Sequence, residues 1–173
     1  MSFNINSGQR AERKLLITAV EWTDGTTKRE ILGHRIESSN IDYNHDISTM
    51  TDILGENYTD VNKSQPQQAF EPFTIMGGSD LAEFLNDKRR RNALSELNAF
   101  TVYVITAFKG SAGAYEAEKH TDCTIVYNSI GGDTHTDMPI NVYFSNKITL
   151  GTVDTLDDTF QFTPNGSTTT TTT

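Results

Sequence analysis

Along most of the chain, apolar and polar residues alternate with a period of two, as in half-buried β-strands. Between residues 15 and 22, Leu15, Ile17 and Ala19 share one parity and Leu16, Val20 and Trp22 the other. That predicts a strand covered at least partly on both faces. Asp24-Gly25, in TDGTT, supplies a turn that returns the chain into KREILGHRIES as a hairpin. In FTVYVITAF, Phe100, Val102, Val104 and Phe108 oppose Tyr103, Ile105 and Ala107, which predicts a central strand. After a turn at KGSAGA, the segments CTIVYNSI, INVYFSNKITL and DTFQF complete the set. Within INVYFSNKITL, Ile140, Val142, Phe144, Ile148 and Leu150 share one parity, and Asn141, Tyr143 and Ser145 the other.

Two stretches break this pattern. SSNIDYNHDISTMTDILGENYTDV is polar, with isolated apolar residues at Ile41, Tyr43, Ile47, Met50, Ile53, Leu54, Tyr58 and Val61. It reads as a long extended excursion that Gly55-Glu56-Asn57 could reverse into a hairpin, with TMTDIL and YTDV as its sides. Such a hairpin has too little apolar surface to stand alone and needs another surface to lie on. After the polar linker NKSQPQQ, AFEPFTIM reads as an edge or bulged strand, because Pro72 removes a ladder donor. Gly77-Gly78 then ends the strand, and Ser79 or Asp80 caps a helix; with Asp80 at the cap, Glu83 completes a capping box. Leu81, Phe84 and Leu85 form its packing stripe.

About seven or eight strands and one helix, joined at hairpin spacing, predict a mainly β fold. The expected architecture is an antiparallel β-sandwich or barrel with one flanking α-helix and a long β-hairpin or loop arm. No strand, Gly-rich loop and helix recur as a doubly wound fold requires. The expected organisation is an N-terminal arm over 1–12, loose or ordered by a neighbouring subunit, and a β domain over 13–163. Within that domain, 38–61 form the extended arm and 80–91 the helix. Residues 164–173 form a Thr-rich tail of low complexity.

A length of 173 residues suits one domain with its own core. The 35% hydrophobic content, with nine Phe and six Tyr, is too aromatic for a disordered chain and too polar for a membrane span. A formal charge of −9 argues against duplex binding, which needs a clustered cationic surface. Cys123 is the only cysteine, so no intramolecular disulfide forms, and a buried apolar role is expected for it. The N-terminus has no apolar run of the kind a secretory signal needs.

Motif chemistry is sparse. Lys88, Arg89, Arg90 and Arg91 do not form a flat phosphate-binding face, because successive helical residues point about 100° apart. They fall at a helix C-terminus, where cations complement the macrodipole, and are candidate interface cations. Asp133, His135 and Asp137 share a strand parity, and Asp42, His45 and Asp46 could supply a further metal ligand, but polar turn chemistry explains both groups better. His120 lies three residues before Cys123, a spacing that would put the two on opposite faces of a strand. Nucleophile-elbow, zinc-protease, phosphate-loop and dinucleotide motifs are absent. No enzyme, cofactor or metal is expected.

Taken in order, these features resemble the major tail tube protein of tailed bacteriophages. That fold is shared with the tubes of contractile injection devices and of type VI secretion. The likeness spans roughly residues 13–163 and is carried by SSNIDYNHDISTMTDILGENYTDV followed by FEPFTIMGGSDLAEFLNDKRR, a long loop or hairpin before a single helix. The resemblance implies a subunit of hexameric rings stacked into a hollow tube, with the 38–61 arm reaching an adjacent subunit or ring. It implies self-association, and tail tip or baseplate, tape measure and tail terminator proteins as partners. DNA would pass through an acidic lumen without specific binding, and no membrane would be involved. It also implies assembly in a bacterial host cytoplasm and residence in the virion tail. Asp154, Asp157 and Asp158, near the last strand, are candidate lumen acids. The rival readings are a monomeric β-sandwich binding module, for example for carbohydrate, which needs exposed aromatics, and a small metal-dependent enzyme using Asp133, His135 and Asp137.

Overall fold

The computed structural model describes residues 3–166; the threonine run of the expected tail lies outside them. Eleven strands and one α-helix follow in the order β1 (Leu16–Asp24), β2 (Thr26–Leu32), β3 (Ile41–Asp42), β4 (Asp46–Thr51), β5 (Asn57–Lys63), β6 (Gln67–Phe70), α1 (Asp80–Arg91), β7 (Phe100–Ser111), β8 (Ala114–Tyr127), β9 (Ile140–Tyr143), β10 (Ile148–Val153) and β11 (Phe162–Pro164). Every pairing is antiparallel. One layer runs β2-β1-β7-β8-β10-β11 and the other β8-β9-β6-β3, while β4 and β5 pair only with each other.

The two layers share β8. Its first half, Tyr115–His120, pairs with β10, and its last four residues, Thr124–Tyr127, pair with β9. Between them the register against β7 shifts and Asp122 takes a positive φ of 58°. This bulge bends the strand from one layer into the other. It also turns His120 and Cys123 to the same side, contrary to simple alternation: both are buried, and the Cys123 thiol lies 3.5 Å from the His120 carbonyl oxygen.

The main core fills the space between the layers. Val20, Trp22, Val102 and Val104 of one layer meet Phe70, Ile125, Ile140 and Val142 of the other. Across that apolar interior the buried Thr18 hydroxyl donates to the Gln68 side-chain oxygen at 2.8 Å, and the Gln68 amide donates to Ser39 Oγ at 3.0 Å. A smaller core of Ala19, Tyr103, Ile105, Ala117, Val153 and Phe160 lies on the outer face of the first layer, with Leu156 and Phe162 packed against it. Gly151 allows that closure, because a Cβ there would collide with the Phe162 ring and the Thr163 carbonyl.

Helix α1 seals one end of the main core with Leu81, Phe84 and Leu85, all buried. Ser79 is its N-cap and its side chain accepts from the Ala82 N–H. The Glu30 carboxylate of β2 accepts from the Ser79 hydroxyl at 2.7 Å and from the Leu81 N–H at 2.9 Å, which places an anion at the positive end of the helix dipole.

The apolar run from Ile140 to Leu150 is two strands, not one. β9 joins the second layer and β10 the first, so Ile140 and Val142 are buried while Ile148 and Leu150 face solvent. AFEPFTIM is likewise divided, with only Gln67–Phe70 in ladder before Pro72. The start of the N-terminal arm docks on its own chain: the Asn4 N–H donates to Phe108 O at 3.0 Å, and the Phe3 and Phe108 rings pack 5.9 Å apart.

Candidate assembly surfaces

Strands β4 and β5 form an arm that leaves the body between β3 and β6. Among the described residues, the hydrogen bonds of 46–63 stay within the hairpin. Its root is fastened by Gln65 N–H and Ser64 Oγ, both donating to Tyr43 O, at 2.9 and 2.8 Å. Directly opposed residues share a face, so the register puts Ile47 with Val61 on one side and Met50 with Tyr58 on the other. All four are exposed, and at the tip Ile53 and Leu54 are 102% and 82% exposed. A ribbon apolar on both sides suits insertion between two surfaces. Ile41 belongs instead to the body, where it packs partly buried against the main core.

The turn of the arm is built around Asp52. Its carboxylate accepts from the Leu54 and Glu56 N–H groups at 2.8 and 2.9 Å and from the Tyr58 hydroxyl at 3.2 Å. The Glu56 N–H, helped by that of Leu54 and by Tyr58, holds this carboxyl below its ordinary value. Reciprocally, the Asp52 and Glu56 carboxylates raise the Tyr58 phenol. Sequence reading picked out the apolar residues of the arm but not Asp52. Its signal was an Asp two and four residues ahead of the backbone groups it binds, as in an Asx turn.

The basic run at the helix end is mostly engaged within its own chain. Lys88 is 4% exposed, pairs with Glu96 at 2.5 Å and sits 4.5 Å from the Phe84 ring centre. Arg89 donates to the Asn86 side chain, and Arg91 pairs with Asp87 one turn earlier. Each pairing depresses its carboxyl: Lys88 lowers Glu96, and Arg91 lowers Asp87. Arg90 is exposed beside Asp87 and Glu83 on the rim of an acidic groove.

Asp154, Asp157 and Asp158 are exposed, but each organises the segment that covers the smaller core. Asp154 accepts from the Gln161 N–H at 2.6 Å, and Asp157 from the Thr159 N–H at 2.8 Å and its hydroxyl at 2.5 Å. Asp158 accepts from the Ile31 N–H at 2.7 Å. The Thr159 hydroxyl and N–H hold the Asp157 carboxyl low. These acids secure Phe160 over the sheet through backbone bonds.

Among the described residues, no three His, Cys, Asp or Glu side chains gather to hold a metal. Asp137 accepts from the Thr74 hydroxyl at 2.6 Å and bridges Gly131 through its backbone. Trp22 and Tyr103 are buried and offer no aromatic platform for a sugar. No described helix is long and apolar enough to cross a membrane.

A groove of about 410 Å³ opens between the start of β1 and the end of β2. Arg13, Lys14, Leu16, His34, Ile36 and Phe70 are among its lining residues. Arg13 spans it, donating to Leu16 O at 2.5 Å and Ser39 O at 2.7 Å.

Neither a protein-family description nor a curated protein matches this chain. Among solved structures, a chain of the 6-fold symmetrised baseplate of the anti-feeding prophage aligns over 84% of this chain and 97% of its own, at 8% identity and a TM-score of 0.50. A chain of the extended sheath-tube complex of PVC, an extracellular contractile injection system, aligns over 85% of this chain and 95% of its own, at 11% identity and a TM-score of 0.49. The baseplate likeness is one of fold.

Proposed function

We propose that this chain is a structural subunit of a phage-type tail tube, assembling as hexameric rings that stack into a hollow conduit for DNA. The arm carries this reading. A hairpin with exposed apolar side chains on both faces, bonded only to itself, is a surface that a second molecule must cover. The two-layered body would then be the ring unit, with its sheet edges as joints between neighbours. The 6-fold symmetry of the baseplate particle supports the choice of six. The formal charge of −9 supports passage of DNA, since an acidic lining repels phosphate and gives it no ligand. Its role is structural rather than catalytic. Its partners would be copies of itself and the tip or baseplate, tape measure and terminator proteins of a virion tail assembled in a bacterial cytoplasm. Residues 13–163 act as the tube domain in this reading, with Arg90 the helix-end cation best placed for a neighbour.

Negative-stain electron microscopy and solution mass over a concentration series test the proposal. Rings or hollow tubes are the expected outcome. A monodisperse monomer at high concentration, with a tail-tip nucleus present, would overturn it in favour of a monomeric binding module.

A further inference from the structure

The arm's exposed side chains imply an acceptor, and two surfaces of the body are apolar enough to serve. One is the β10 face with Ile148 and Leu150. There Glu118 stands directly opposite Leu150 in the ladder, which adds negative charge to the same face. The arm carries Asp46, Asp52, Glu56 and Asp60 against Lys63 alone, so that face would repel it. The other is the groove at the start of β1, whose lining sets Arg13 and Lys14 against Glu37, with Glu12 paired to Lys14 beside it at 2.6 Å.

We propose that this groove receives the tip of the arm from a second copy of the chain. Ile53 and Leu54 enter between Leu16 and Ile36, and Glu56 and Asp60 lie toward Arg13 and Lys14. The inference rests on the assembly reading above and names its acceptor. Three observations support it. The chain's own arm does not fill it, because its tip residues are in solvent. Its volume falls within the range of about 300–1,000 Å³ that holds drug-sized apolar groups, which two aliphatic side chains do not exceed. Unlike the β10 face, the groove holds no excess of negative charge to repel the acidic arm. β4 spans six residues, or about 20 Å at the usual rise per residue, so the tip stands well clear of its root at Tyr43 and Ser64. Donor and acceptor are different patches, so each copy gives one tip and takes one. Such heterologous contacts propagate instead of closing as a pair.

Cysteine pairing across copies tests the assignment. Mixing His34→Cys with Leu54→Cys under mild oxidation should yield a disulfide-linked dimer that neither variant forms alone, because the bond requires close Cα approach. Both positions are exposed, and the buried Cys123 stays out of the reaction. A Leu54→Cys and Leu150→Cys mixture is the competing arm. Tubes by microscopy with crosslinking through Leu150, or through neither site, would overturn the groove and leave the tube reading standing. Absence of rings and tubes in the unmodified protein would overturn both. A charge exchange gives a second readout: Glu56→Lys with Asp60→Lys should lose assembly, and adding Lys14→Glu with His34→Glu should restore it. No restoration would count against the groove.

Discussion

Thr18 and Gln68 are the polar pair inside the main core, and each makes the other tolerable there. Removing one leaves a buried group without its partner, which costs more than a made hydrogen bond contributes. Thr18→Val should therefore lose about 1–3 kcal/mol in denaturant unfolding, and Thr18→Val with Gln68→Leu should lose less than the sum of the two single changes. Tyr103 offers a second test. Burial, reinforced by the Glu21 charge, pushes its phenol up to about 12. The folded form thus favours the neutral phenol, and this contribution is complete below the ordinary value near 10. It falls away as pH rises from there toward 12. Absorbance titration should show one tyrosine ionising last, and Tyr103→Phe should remove both that step and its share of the alkaline loss of stability.

The arm depends on one carboxylate for its turn. Because the folded Asp52 carboxyl sits below its ordinary value of 3.8, its stabilising effect is present above that pH and is lost as pH falls through the lower folded value. Amide exchange at Leu54 and Glu56 should accelerate in that acidic window, and Asp52→Asn should remove most of the pH dependence. Much of the architecture was legible in periodicity: the first hairpin, the central strand and the capped helix announce themselves through alternation, Asp24-Gly25 and Ser79. What was hidden has physical causes. Parity cannot reveal that Ile140 and Ile148 belong to different layers, because the residues between them supply a change of layer rather than a break in alternation. A single bulge at Asp122 reverses the facing of Cys123 in the same silent way. Lys88 reads as a surface charge until the fold brings up Glu96 and the Phe84 ring. The groove draws on residues from 13 to 70, so no local motif marks it.

In the molecule as a unit, the proposed assembly assigns folding and association to separate parts. The body holds its own cores, while the described bonds of 46–63 remain inside the arm. Deleting residues 47–61 and joining the ends with a short Gly/Ser turn should leave the body's unfolding midpoint nearly unchanged and abolish rings or tubes by microscopy. A large fall in the midpoint would show instead that the arm is part of the body's stability.

The way the arm is rooted also has a mechanical meaning. Its two sides run on into β3 and β6, and β6 is laddered to β9, which is laddered to β8, the strand common to both layers. A tug on the tip is therefore directed along strands whose hydrogen bonds lie crosswise to the pull. Those bonds would take the load together, in shear, instead of opening one by one like a zip. Tension between neighbouring molecules would spread through both sheets, and the domain would resist being drawn out by the partner that holds its arm.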